Sequence, residues 1–146
     1  MPDVPDSIQR ELILPVPPTR VWTALTQADQ LGAWFGTQAT IDPRPGGELI
    51  FTWDGSTGPT GAARGVIEAI EPPTRFAFRW HSVPEELPMT RVEFTLEVHP
   101  EGTRLRLVES GFSSLPAELR QRLHVGHTEG WQRELGELEQ YLGVPR

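Results

Sequence analysis

From Ala117 to Leu142 the residues Leu123, His127, Trp131, Leu135, Leu138 and Leu142 advance by three or four places. That spacing sets them on one stripe of an amphipathic helix of about seven turns. Between Glu48 and Glu109 the apolar residues recur with a period of two instead, as in strands that bury one face. Such a sheet needs a cover, and only the C-terminal segment is long enough to supply it. The fold class expected is therefore α+β: a curved antiparallel sheet wrapped around a long C-terminal helix. It forms a single domain over residues 1–146, with its core at about 8–142. A sheet closed by one helix that carries glycines and a tryptophan tends to leave space inside, and that space is the first place to look for function.

The rest of the chain fits this frame. Ile8 to Leu14 is a strand, ended by Pro15, Pro17 and Pro18. Pro18 suits the first turn of a short helix through Val21, Trp22 and Leu25. Asp29 is placed to cap a second one containing Leu31, Trp34 and Phe35, which Gly36 ends. Thr37 to Ile41 is a weak strand. Pro45-Gly46-Gly47 turns into Glu48–Asp54, where Leu49, Phe51 and Trp53 alternate with polar neighbours. Gly55 to Gly61 reads as a loop, Gly65 to Ile70 as a strand and Pro72-Pro73 as a turn. Phe76, Phe78 and Trp80 alternate with Arg75, Ala77 and Arg79. After a loop from Ser82 to Pro88, Val92, Phe94, Leu96 and Val98 alternate with charged and polar residues. Glu101-Gly102 makes a tight hairpin, and Leu105 and Leu107 continue the buried face. Ser114 and Pro116 suit the start of the long helix, and Gly143 and Pro145 its end.

Charge and composition exclude several functions. The net charge of -7 disfavours nonspecific nucleic-acid binding, which depends on neutralising phosphates. There is no cysteine, hence no disulfide or thiolate chemistry. No apolar run reaches the roughly 18 residues of a spanning helix, and the first residues lack a signal-peptide pattern, so no membrane insertion and a cytoplasmic location are expected. All 13 basic residues are arginine. Those at Arg75, Arg79, Arg91, Arg104 and Arg106 fall opposite the apolar positions of three strands, which reads as a solvated outer face paired with Glu93 and Glu97.

Arg10-Glu11, Val21-Trp22, Ala24-Leu25-Thr26, Leu31 and Trp34-Phe35 resemble the opening of the START-like (SRPBCC) helix-grip superfamily, and within it the group named after the activator of the heat-shock-protein-90 ATPase. Arg44-Pro45-Gly46-Gly47, Gly65 with Glu68, Pro72-Pro73 with Arg75, Phe78 with Trp80, and Gly102-Thr103-Arg104-Leu105 continue the likeness. So do Gly126-His127, Gly130-Trp131, Leu135, Leu138 and Tyr141-Leu142. The resemblance implies a cavity between sheet and C-terminal helix that takes lipids, polyketides or other apolar molecules, with cyclases and hydrolases as a minority. The co-chaperones that gave the group its name have a further N-terminal domain, for which the residues before Ile8 leave no room, so their role is not carried over.

The aromatic side chains Trp34, Phe35, Phe51, Trp53, Phe78, Trp80, Phe94, Phe112 and Trp131, with Leu135, are either core or cavity wall. Trp53 and Trp80, near strand ends, are placed closer to a mouth. Each buried indole needs a partner for its N–H. Gly126 and Gly130 each cost the helix roughly 1 kcal/mol against alanine, which calls for a close backbone or room for a guest. His127 shares the inward stripe, as a bonded core histidine or an acid–base group. Glu109 shares the parity of Leu105 and Leu107 and points inward. The resemblance implies that the first and last strands are neighbours, which puts Arg10 within reach of Glu109, as a strand-end ion pair or a ligand anchor. Glu68 is a third polar group of ambiguous facing.

No catalytic residue is identified. There is no Gly-x-Ser-x-Gly elbow, phosphate loop or dinucleotide fingerprint, so no cofactor is expected. His124 and His127 at i, i+3 lack a third ligand, so no metal is expected either. The leading expectation is a binding protein for a small apolar or amphipathic ligand. An enzyme using His127 and Glu109, or an interaction module for a chaperone or regulator, are the alternatives. An acidic domain with a long exposed helix flank also suits a homodimer.

Overall fold

A computed structural model describes residues 4–36, 38–55, 60–82 and 88–143. The elements run β1 (Ser7–Leu14), α1 (Pro18–Thr26), α2 (Ala28–Trp34), β2 (Gln38–Ile41), β3 (Glu48–Asp54), β4 (Thr60–Glu71), β5 (Arg75–Ser82), β6 (Thr90–His99), β7 (Gly102–Ser110), a 3₁₀ turn at Phe112–Ser114, and α3 (Ala117–Tyr141). The strands form one antiparallel sheet in the order β1-β7-β6-β5-β4-β3-β2. The architecture is thus the expected α+β helix-grip fold, a seven-stranded curved sheet with a long C-terminal helix.

Period-two burial confirms which face is covered. Phe76, Phe78 and Trp80 of β5, Thr90, Val92, Phe94 and Leu96 of β6, and Thr103, Leu105, Leu107 and Glu109 of β7 are all buried. They meet Trp131, Leu135 and Leu138 of α3 and Leu25, Leu31, Trp34 and Phe35 of the two short helices in one continuous core. The opposite face is a ladder of ion pairs. Arg75 holds Glu93 at 2.6 Å and Glu71 at 2.7 Å, Arg91 holds Glu68 at 2.7 Å, and Arg106 holds Glu11 at 3.0 Å. Such exposed pairs add little stability each but keep this face wet.

Four local expectations are corrected. The loop expected at Gly55–Gly61 already becomes strand at Thr60, because Thr60 and Gly61 pair with Asp54 and Trp53 of β3. Asp29 lies inside the first turn of α2, whose cap position is Gln27 with no side-chain cap bond. Arg10, expected near Glu109, is exposed on the edge strand and among the described residues bonds only to the Gln9 carbonyl at 2.7 Å, while Ile8 is the residue opposite Glu109. A register shift between Ile67 and Ala69 explains the ambiguity of Glu68: the extra residue turns it outward to Arg91 while Ile67 still faces the core. Thr37, residues 56–59 of the first loop, residues 83–87 of the second, and Pro145 lie outside the described residues.

One glycine decides how tightly the sheet carries its tryptophan. Gly65 of β4 stands opposite Trp80 of β5, and a Cβ there would come within 2.4 Å of the Arg79 carbonyl and 3.0 Å of the Trp80 Cβ. Only a residue without a side chain lets Trp80 sit at this place in the sheet.

Candidate functional site

Trp80, Thr90 and Glu109 come from three adjacent strands. Trp80 faces Thr90 in register across β5 and β6, and Glu109 lies at the C-terminal end of the inward row of β7. All three converge on one buried point. Glu109 is 0% exposed, and its carboxylate accepts the Trp80 indole N–H at 2.9 Å, the Thr90 hydroxyl at 2.5 Å and the Trp131 indole N–H at 2.8 Å. His127 of α3 completes the set, donating from Nδ1 at 3.0 and 2.9 Å to the two oxygens. A carboxylate has about four lone-pair sites, so Glu109 is saturated. Burial works against its charge. The bond from His127, that residue's charge, and the bonds from Thr90 and Trp80 outweigh burial and hold the carboxyl below its ordinary value of 4.5.

His127 stands edge-on between Trp80 and Phe112, at ring-centroid distances of 6.1 and 5.5 Å. It retains 24% side-chain exposure, so it links the buried carboxylate to the outside. Phe112 is fixed from the chain's start: Asp6 accepts the backbone N–H of Ser113 at 2.9 Å and also its hydroxyl, which pins the turn that carries the ring. Those bonds from Ser113 hold the Asp6 carboxyl below its ordinary range. His124, the other histidine of this helix turn, packs on Phe112 and meets the Ser7 carbonyl at 3.2 Å. Among the described residues no group of three acids or histidines is placed to hold a metal.

Beside this hub lies an aromatic cluster. The Phe35 ring has Trp34, Phe51, Trp53, Trp80 and Trp131 around it at 4.5–5.9 Å. The cluster encloses a gap of about 10 Å³ lined by Leu25, Leu31, Trp34, Phe35, Phe51, Phe76, Phe78, Phe94 and Trp131. That is room for about one water molecule, and every wall is apolar. Of the residues singled out in the sequence, Trp34, Phe35, Phe51, Phe78, Phe94 and Trp131 border the gap. Trp80, Glu109, Phe112 and His127 form the polar hub instead, and Leu135 is plain core below Trp131. Trp131 belongs to both groups, since its ring walls the gap while its N–H serves Glu109.

Trp53 leads to a second buried acid that the sequence reading passed over. Glu134 of α3 is 5% exposed and accepts the Trp53 indole at 3.2 Å, the Gly36 backbone N–H at 3.4 Å and Arg133 at 3.4 Å. Its signal was present: Glu134 is three residues after Trp131, on the buried stripe. Thr90 was equally legible, being two residues before Val92 on the inward parity of β6. The glycines of α3 do not meet a neighbouring backbone. A Cβ on Gly126 would touch nothing within 4 Å, and one on Gly130 only the Arg133 Nη2 at 3.9 Å, so no close backbone accounts for either glycine.

This arrangement places a saturated acid–imidazole pair beside an apolar gap under a C-terminal helix. The model of the family described as activator of Hsp90 ATPase homolog 1-like protein matches residues 15–143, so the chain belongs to that family. Protein MLL2253 from Mesorhizobium loti is similar in structure, with a TM-score of 0.79 and 27% identity over 96% of this chain and 98% of that one. DynU16, a protein in the dynemicin biosynthetic locus, superposes with a TM-score of 0.77 and 25% identity over 97% of this chain, which spans 48% of DynU16. The Aha1 dimer from Colwellia psychrerythraea, at 19% identity and a TM-score of 0.76 over 94% of this chain and 96% of that one, shares the fold. No curated protein matches the sequence.

Proposed function

We propose that this protein binds a small, largely apolar molecule between the sheet and α3, without turnover. The observation that carries the reading is the gap enclosed by the rings around Phe35, whose lining is wholly apolar and whose wall residue Trp131 is wired to a polar group. At about 10 Å³ the gap is closed to a guest, so the wall's own rings occupy the guest's place in this form. Entry requires Phe35 and the end of α2 to swing outward. The body of α2 is held to α1 by the bonds from Trp34 to the Ala24 carbonyl at 2.8 Å and from Arg20 to Gln30 at 2.7 Å, whereas just past its end Gly36 meets Glu134 at 3.4 Å, so that end is the part of the wall that yields. The place of DynU16 in a biosynthetic locus favours a small organic guest. Among the described residues no helix is long and apolar enough to cross a membrane, and we place the chain in the cytoplasm.

The test is thermal unfolding against a broad panel of lipids and aromatic compounds, with native mass spectrometry of protein from its own source. A Tm rise of several degrees with one class, or a retained small molecule, is expected. Absence of any shift across the panel together with a bare mass would overturn the reading.

A second reading is favoured by one contact, the 2.9 Å approach of His127 to Glu109. In it His127 acts as acid or base and Glu109 orients it, as paired groups do in hydrolytic and cyclising enzymes. Turnover of a bound guest that His127→Asn abolishes would favour it. For a chaperone-like interface there is less support. Among the described residues the exposed large apolar side chains are Val66, Val98 and Val125, on three separate elements. Self-association, tested by sedimentation, is a separate proposal suggested by the Colwellia dimer.

A further inference from the structure

We infer that the guest carries a weakly acidic hydroxyl, phenolic or enolic, and that Nε2 of His127 is the atom that receives it. The inference rests on the binding reading above and names the chemistry of its polar end. It follows from an account of the polar atoms in this region. The indoles of Trp80 and Trp131 and the hydroxyl of Thr90 donate to Glu109, those of Trp34 and Trp53 to the Ala24 carbonyl and to Glu134. Glu109 has no lone pair to spare. Among the described residues His127 bonds only through Nδ1, leaving Nε2 without a protein partner.

Glu109 fixes what Nε2 can do. A carboxylate accepts, so Nδ1 carries a proton, and Nε2 is an acceptor in the neutral ring and a donor in the imidazolium. A carbonyl on the guest would suit only the second state, and a carboxylate would bring a further negative charge toward Glu109. A hydroxyl suits both, donating its hydrogen to neutral Nε2 or accepting from Nε2–H. Weak acidity strengthens the contact, because a more acidic O–H is the better hydrogen-bond donor to the neutral imidazole nitrogen.

The surroundings leave room for such a group. The imidazole is 24% side-chain exposed, and Gly126 and Gly130 keep the helix flank bare on either side of it. Trp80 packs against both His127 and Trp131, with ring centroids 6.1 and 5.7 Å away, so the imidazole adjoins the rings that wall the gap.

The experiment uses three probes on the wild-type protein: 2-naphthol, 2-methoxynaphthalene and naphthalene. Titration calorimetry gives affinities, and nitrogen-15 spectra of labelled histidine follow Nε2. We expect 2-naphthol to bind about 10-fold more tightly than its methyl ether, the worth of one hydrogen bond, and to move the Nε2 resonance of His127. His127→Phe should erase that preference while naphthalene still binds. Equal affinities for naphthol and its ether with an unmoved Nε2 would overturn the inference and leave the binding reading intact. Failure of all three probes to bind would overturn both.

Discussion

The two buried acids of this domain, Glu109 and Glu134, face the same problem and solve it to different degrees. Each is nearly or wholly sealed from water and each accepts a tryptophan N–H. Glu109 sits on a strand amid four donors at 2.5–3.0 Å, one of them a histidine ring. Glu134 sits on the helix with three donors at 3.2–3.4 Å, one of them the backbone N–H just beyond α2. Short bonds from rigid strands and a core helix make a fixed post. Long bonds to the end of a short helix make a fastening that can be undone. On the proposed binding reading, the difference makes Glu109 and His127 the fixed polar anchor, and Phe35 and Gly36 the wall that moves.

If that contrast holds, Glu109→Ala should be the most damaging change. It strands two indoles, a hydroxyl and an imidazole in the core, and a loss of about 3–5 kcal/mol is expected in denaturant unfolding. Glu134→Gln keeps one acceptor for Trp53 and should cost about 1 kcal/mol in the same assay, while speeding ligand entry in stopped-flow binding. Equal costs for the two changes would erase the distinction.

Acid should act on the anchor as well. The Glu109 carboxyl is held below its ordinary 4.5 in the folded state, so the unfolded chain takes up its proton first as pH falls. Its stabilisation is complete above about pH 4.5 and drains away below it, towards the folded value. Asp6 and Glu93 are lowered too and contribute in the same direction, so the measurement is the difference between wild type and Glu109→Gln across that range. A flatter acid limb in the variant is expected, and identical limbs would show that Glu109 is not charged in the fold.

The smallest effect belongs to the bare flank of α3. Gly126→Ala meets no neighbour and should raise stability by about 1 kcal/mol. A destabilised variant would mean that this flank is covered.

Sequence pattern revealed the post more fully than the wall. Glu109 and His127 were legible because period two and period 3.6 each pointed a charged group inward, and the structure joins them at 2.9 Å. Thr90 and Glu134 carried the same signal and were missed because the apolar residues beside them drew the reading. Arg10 was misplaced for a physical reason: on an edge strand, parity with buried Ile8 does not ensure cover, and the side chain is exposed. Whether an aromatic cluster leaves a gap was beyond the sequence altogether, since ring packing depends on rotamers, which no local pattern encodes.

The central claim, that a guest enters among the rings around Phe35, is most directly examined through the five tryptophans. Their indole N–H resonances report separately on the wall (Trp34 and Trp131), the anchor (Trp80), the fastening at Glu134 (Trp53) and the outer side of the wall ring Phe76, on which Trp22 packs. On titration with 2-naphthol the account expects the largest shifts at Trp34 and Trp131, a smaller one at Trp53 as the fastening loosens, and the smallest at Trp22. Saturating binding that leaves Trp34 and Trp131 unmoved would place the guest elsewhere and contradict it.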